Sequence, residues 1–197
     1  MAFTLEKYAS LRPTLWHLTH EDNLPLIRET RHLLPANVLD SDRIGTVRRG
    51  RPVIQGKPVL RDQDLLHAAC VEFTNGWVMD DFLRDQGSRV FFWSGWANRP
   101  ILQGRKAASR YADTDVIIRV PFLDIARGHE PHFTCCNSGA TRMQNGQRVI
   151  RGPTTFQSAL ACVYLPSKVV EVTIVGEVFL PASAMTARSL KGPWEPI

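Results

Sequence analysis

The sequence predicts an α+β domain, and three observations carry that expectation. A short apolar strand near residues 13 to 18 runs directly into a helical segment, helices concentrate in the first half, and strand-length apolar runs dominate the second. At 197 residues, 44% hydrophobic and 22% charged, the chain has the composition of one globular domain over 1–197. A domain of that length buries about two thirds of the surface its unfolded form exposes. No internal repeat, low-complexity tract or linker divides it.

The elements follow in order. The first strand, near residues 13 to 18, leads into a helix over about 22 to 33, where Pro25 is tolerated because it falls in the first turn. A second helix starts at Asp62 as N-cap, with Leu65, Leu66, Ala69 and Cys70 on one face. A third, about 76 to 86, carries Trp77, Val78, Phe82 and Leu83. Arg89-Val90-Phe91-Phe92-Trp93 is a short aromatic strand, followed by a turn into a helix with Pro100 near its start. Asp115 to Pro121 is a buried strand, and 137–156 is an irregular loop of the length that usually carries function. Two apolar strands, Ala159 to Leu165 and Lys168 to Val175, close the pattern on either side of Pro166.

Composition excludes several classes. No apolar run approaches the roughly 20 residues of a membrane span, and Met1 to Lys7 lacks a signal peptide's basic and apolar blocks, so the expected location is the cytoplasm, without membrane partners. Cys70, Cys135, Cys136 and Cys162 lack paired CxxC spacing and read as buried reduced thiols. His129-Glu130-Pro131-His132 lacks a second ligand pair, and no metal is expected.

Charge is concentrated. From Ser41 to Arg61 the chain carries Arg43, Arg48, Arg49, Arg51, Lys57 and Arg61 against Asp42 alone, so this Gly- and Pro-rich stretch holds the whole net charge of +5. It reads as a long basic loop whose natural partner is a polyanion. Arg48, Arg49, Arg51 and Lys57, with Arg151 further on, are the candidate nucleic-acid contacts. A solvated loop that merely aids solubility is the competing reading.

The end of the first strand is the most specific feature. His17-Leu18-Thr19-His20 places an imidazole and a hydroxyl beside a helix N-terminus, where the helix dipole favours an anionic group. That motif, the Asn23-Leu24 helix start, the Arg-bearing loop and an aromatic strand ending in a small polar turn resemble the ADP-ribosyltransferase fold. They are most similar to DarT-like toxins that modify nucleic acid, and to an uncharacterised bacterial domain family with the motifs Arg61-Asp62-Gln63, Val90 to Trp93, Asn137 to Arg142 and Arg151 to Phe156. The likeness spans about residues 14 to 178.

The resemblance implies a central split mixed sheet with helices mainly from the N-terminal half, and NAD as the substrate. It implies that His17 and Thr19 hold the nicotinamide ribose and amide. Arg61 grips the pyrophosphate or stabilises charge during bond cleavage, a role open also to Arg48, Arg49 or Arg51. Trp93 and Ser94 form the supporting polar turn, Trp93 stacking on nicotinamide or on a base.

Most members of the fold carry a glutamate at the start of a late strand, and the corresponding stretch Thr154 to Val163 has no acid. Gln157 can keep the hydrogen bond but supplies no negative charge. Glu171 is the nearest carboxylate, one strand further on, so the catalytic candidates are Arg61, Gln157 and Glu171. The expected activity is transfer of ADP-ribose to a macromolecular acceptor, nucleic acid preferred over protein. The alternative is a weak or inactive nucleotide- or nucleic-acid-binding module of the same fold.

Overall fold

The computed structural model describes residues 3–53 and 55–197. Met1 and Ala2, the start of the amino-terminal segment read above, and Ile54 of the basic segment lie outside it.

The chain opens with α1 (Leu5–Leu11), a helix unmarked by the sequence reading, whose first turn is capped by the Thr4 hydroxyl accepting from Lys7 N–H. β1 (Thr14–His20) runs two residues past the expected strand. His20 caps the following turn, its Nδ1 accepting from Asp22 N–H. α2 (Leu24–Thr30) is shorter than expected because Arg31 takes the left-handed conformation, φ 58°, and turns the chain into β2 (His32–Leu33). After α3 (Ala36–Leu39), the basic segment has no regular strand among its described residues.

The helix expected at Asp62 does not form, because tertiary partners take its backbone groups. Gln63 N–H donates to Arg48 C=O, while Thr141 bonds Leu65 and both polar groups of His67. The Asp62 carboxylate accepts from Asp64 N–H and from the Tyr111 hydroxyl. β3 (Val71–Phe73) and α4 (Met79–Gly87) follow, the helix starting with Asp81 accepting from Val78 N–H. β4 (Arg89–Trp96) extends through the expected turn and folds back as β5 (Arg99–Pro100), so Pro100 lies in a strand and α5 (Leu102–Arg110) begins beyond it.

β6 (Asp115–Pro121) is as expected and leads into α6 (Phe122–Ala126) and β7 (His132–Thr134). The 137–156 loop contains β8 (Val149–Arg151), and β9 (Gln157–Ser158) follows. Residues 159–165 are not a strand: the Gln157 amide oxygen accepts from Val163 N–H and folds the segment over, leaving Leu160 and Val163 in solvent while Cys162 enters the core. β10 (Glu171–Val175), β11 (Val178–Phe179), β12 (Met185–Ala187) and β13 (Glu195–Pro196) complete the fold.

Nine strands form the main sheet, in the order β13-β12-β6-β1-β4-β10-β7-β9 with β5 beside β4. Its ladders are antiparallel throughout, which corrects the expected mixed sheet. Parallel neighbours need crossovers that return the chain to the same end, and among the described residues the one parallel pair, β3 with β8, lies in a separate small sheet. Two central strands barely hold each other. β1 pairs with β6 along all seven residues but with β4 only from Thr14 to Trp16, and beyond Trp16 and Trp93 the ladder stops. The sheet is therefore split at its centre.

Alternation assigns the two faces. Leu15, Phe92, Ile118 and Val172 pack with Tyr8 and Phe133 on one side; Trp16, Trp93, Ile117 and Ala107 of α5 pack on the other. Gly104 lets α5 approach, since a Cβ there would lie 2.8 Å from Pro100 Cβ and 2.9 Å from Trp93 Cβ. We expect Gly104→Val to lower stability by about 1–3 kcal/mol in urea denaturation, through displacement of Trp93.

Candidate functional site

A cavity of about 990 Å³ opens at the split, between the diverging ends of β1 and β4 and under the basic segment. His17 is the first β1 residue beyond the last β1–β4 pair, and its Nδ1 lies 2.8 Å from Phe91 C=O of β4. The imidazole thus bridges the strands where the ladder has ended. Because a carbonyl only accepts, Nδ1 carries the proton and Nε2 of the neutral ring is an acceptor. Burial pushes the His17 pKa below its ordinary value, opposed by the Phe91 bond and reinforced by the Arg61 charge. The ring stays neutral at physiological pH.

Glu171 enters from the other strand bordering the cavity. It is the first residue of β10, opposite Trp93 of β4 and Thr134 of β7, and it is buried. Burial pushes its pKa up to about 7, against the Ser138 hydroxyl and N–H and the charges of Arg61 and Arg151. The Ser138 N–H donates to Glu171 Oε2 at 3.1 Å.

Arg61 completes the constellation. Its guanidinium lies 5.7 Å from the Trp93 ring centre and 5.4 Å from that of Tyr111, and among the described residues it has no hydrogen bond or ion pair. Three other cationic side chains of the cavity wall are committed: Arg51 to Asp115 at 2.7 Å, Arg89 to Asp85 at 2.7 Å, Arg110 to Asp62 at 3.8 Å. An uncommitted guanidinium held between two aromatic faces is built to receive an anion. Its field reaches both His17 and Glu171.

The remaining expected residues divide cleanly. Thr19 lines the cavity and its hydroxyl accepts from Asn23, whose amide also clasps both backbone groups of Val59 and so anchors the basic segment to β1. Trp93 lines the cavity, whereas Ser94 faces the opposite core, 2.6 Å from the Tyr8 hydroxyl. Gln157 stands outside the cavity, its amide spent on Thr154 C=O, the Tyr164 hydroxyl and Val163 N–H.

The basic segment is a folded wall rather than an open basic surface. Arg49 spends its guanidinium on the carbonyls of Gln63, Asp64 and Leu66. Arg48 donates to Arg61 C=O and lines the cavity. Arg51 and the buried Arg151 line it too, the latter bonded to Ile150 and Asn137 carbonyls. Lys57 is exposed and borders a separate cleft of about 220 Å³. Of the cysteines, only Cys162 is buried; Cys135 is exposed, and both Cys135 and Cys136 line the cavity. Among the described residues no group of three or more His, Cys, Asp or Glu is arranged for a metal ion, and no helix is long and apolar enough to cross a membrane.

Asn23, Tyr111 and Ser138 line the cavity and Asp115 pairs with Arg51 of its wall; the sequence reading left all four without a role. Asp115 carried a signal, a lone acid opening a mostly apolar strand, and Ser138 lay inside a motif noted only for its likeness.

The sequence profile of DUF7002, a family of unknown function, matches residues 13–185. The chain belongs to that family. The DUF7002 stretch begins one residue before β1 and ends at the start of β12, so it encloses His17, Arg61, Ser138 and Glu171 together with the split that gathers them. No match is found among curated proteins.

Proposed function

We propose that the protein is an NAD-dependent ADP-ribosyltransferase. The observation that carries this reading is the convergence of a neutral histidine, an uncommitted arginine and a buried glutamate on one cavity at the split of the sheet. In this reading Arg61 receives the pyrophosphate, and Nε2 of His17 accepts from a ribose hydroxyl. The Glu171 carboxylate faces the ribose as positive charge develops at its anomeric carbon. The bond from that carbon to nicotinamide breaks with its electron pair leaving on nicotinamide. An acceptor nucleophile then bonds to the same carbon and releases its proton. Such a step depends on orientation and charge stabilisation more than on a strong nucleophile. Nucleic acid is the preferred acceptor over protein.

The test is nicotinamide released from NAD by the purified protein, alone and with DNA, RNA or protein. Release that depends on one acceptor class, and that falls at least about a hundredfold in His17→Ala, is the expected result. One observation favours the second reading, a nucleotide-binding module with little turnover: with its pKa near 7, Glu171 is about half protonated at neutral pH. NAD binding without release under any condition would select it.

A further inference from the structure

Glu171 is the end of a chain of buried polar groups that begins at the neck of the basic segment. Arg48 N–H donates to Gln63 Oε1 at 2.9 Å, Gln63 Nε2 to Gln86 Oε1 at 2.6 Å, and Gln86 Nε2 to Ser138 Oγ at 3.4 Å. Ser138 in turn donates its N–H to Glu171 Oε2 at 3.1 Å, and its hydroxyl acts on the same carboxyl, opposing the upward push of burial. Gln63, Gln86, Ser138 and Glu171 are each 5% exposed or less, so the links are buried against the cavity wall. Four segments remote in sequence are joined: the neck of the basic segment, the end of α4, the loop after β7, and the start of β10.

The direction of the chain is fixed by its first member. A backbone N–H can only donate, so Gln63 must turn its oxygen toward Arg48 and its nitrogen toward Gln86. Gln86 must then turn its oxygen toward Gln63 and its nitrogen toward Ser138. The Ser138 oxygen, occupied as an acceptor, is left with its own proton to donate to Glu171. Every donor therefore points at the carboxylate, an alignment in which each bond polarises the next.

We propose that Gln63, Gln86 and Ser138 are positioning residues, a relay that fixes the orientation of Glu171, favours its carboxylate form and ties it to the neck of the loop bearing Arg61. The relay matters for turnover only if the transferase reading holds, but its existence does not depend on that reading. Gln63 and Ser138 lie in the Arg61-Asp62-Gln63 and Asn137-to-Arg142 motifs, and the relay gives both a physical role. Gln63 also receives the Arg49 guanidinium on its carbonyl and bonds Arg48 C=O through its own N–H, so it closes the loop as well as starting the chain.

The experiment is to follow the carboxyl of Glu171 by carbon NMR across pH in the wild type, Gln86→Met and Ser138→Ala. The expected result is a titration midpoint raised by about one pH unit in each variant, because Ser138→Ala removes the hydroxyl beside the carboxylate and Gln86→Met removes the donor that orients that hydroxyl. Faster hydrogen exchange of the distant Arg48 amide in Gln86→Met is expected alongside. A midpoint unmoved in either folded variant overturns the relay. Should Gln86→Met fail to fold, Ser138→Ala alone decides, since it deletes one oxygen and leaves the backbone donor in place. Nicotinamide plays no part in this readout, so failure of the relay and failure of the transferase reading are seen separately.

Discussion

Glu171→Gln is expected to reduce nicotinamide release by at least about a hundredfold and, above pH 7, to make the protein more stable. Both effects follow from one buried carboxyl. In the unfolded chain it ionises near its ordinary 4.5, in the folded protein near 7, because burial outweighs the Ser138 bonds and the charges of Arg61 and Arg151. Between those values the folded state holds a proton that the unfolded state has released. Stability therefore falls as pH rises from 4.5 to 7 and stays lower above it. The interval corresponds to about 3 kcal/mol. Glutamine removes the charge yet still accepts from Ser138 N–H through its oxygen. Urea denaturation should show the variant and wild type converging near pH 4 and separating by up to that amount above pH 7. The same titration sets the activity profile: release by the wild type should rise with pH through about 7, since the carboxylate is the working form. A glutamate with a purely architectural role would lose stability on substitution, the opposite sign.

Asp115→Ala is expected to lower stability by about 3–5 kcal/mol, the cost of leaving a buried charge without its partner. The Asp115 side chain is 1% exposed and meets Arg51 at 2.7 Å, while Asp115 Oδ2 and Arg51 Nε are buried without hydrogen bonds. An ion pair so incompletely satisfied contributes little net stability over apolar groups of similar size. The double variant Arg51→Met, Asp115→Leu should accordingly recover most of the loss, and a urea-denaturation cycle over the four proteins measures the coupling. Arg51 also stacks on Tyr111 at 4.7 Å, so the single variant should loosen the segment that carries Arg61 and accelerate its proteolysis.

The part of the fold that follows from local pattern was legible in the sequence. β1, β6, α4 and the aromatic stretch of β4 announce themselves through strand-length apolar runs, spacing and β-branched content, which tertiary contacts reinforce. What misled was sequence whose backbone partners lie far away. The run after Asp62 has helical spacing, yet its polar groups are claimed by Arg48 and Thr141. The run 159–165 has strand composition, yet Gln157 folds it into a turn. Of the residues singled out from the sequence, His17, Arg61 and Glu171 all line the cavity, with Glu171 on the strand after the one where an acid was sought. Counting charges along the basic segment could not reveal that Arg49 serves carbonyls and Arg51 serves Asp115, since both partners are distant in sequence or carry no charge.

The three-pair ladder between β1 and β4 has a mechanical consequence. Among the central strands β6, β1, β4 and β10 it is the shortest ladder, three pairs against seven and five, so a fluctuation that parts these strands opens first along the cavity. A ligand touching His17 on one bank and Glu171 on the other acts as a stitch across that seam. Amide protons of Phe91 to Ser94 should become slower to exchange when it binds, and those of β6, already held by a full ladder, should not.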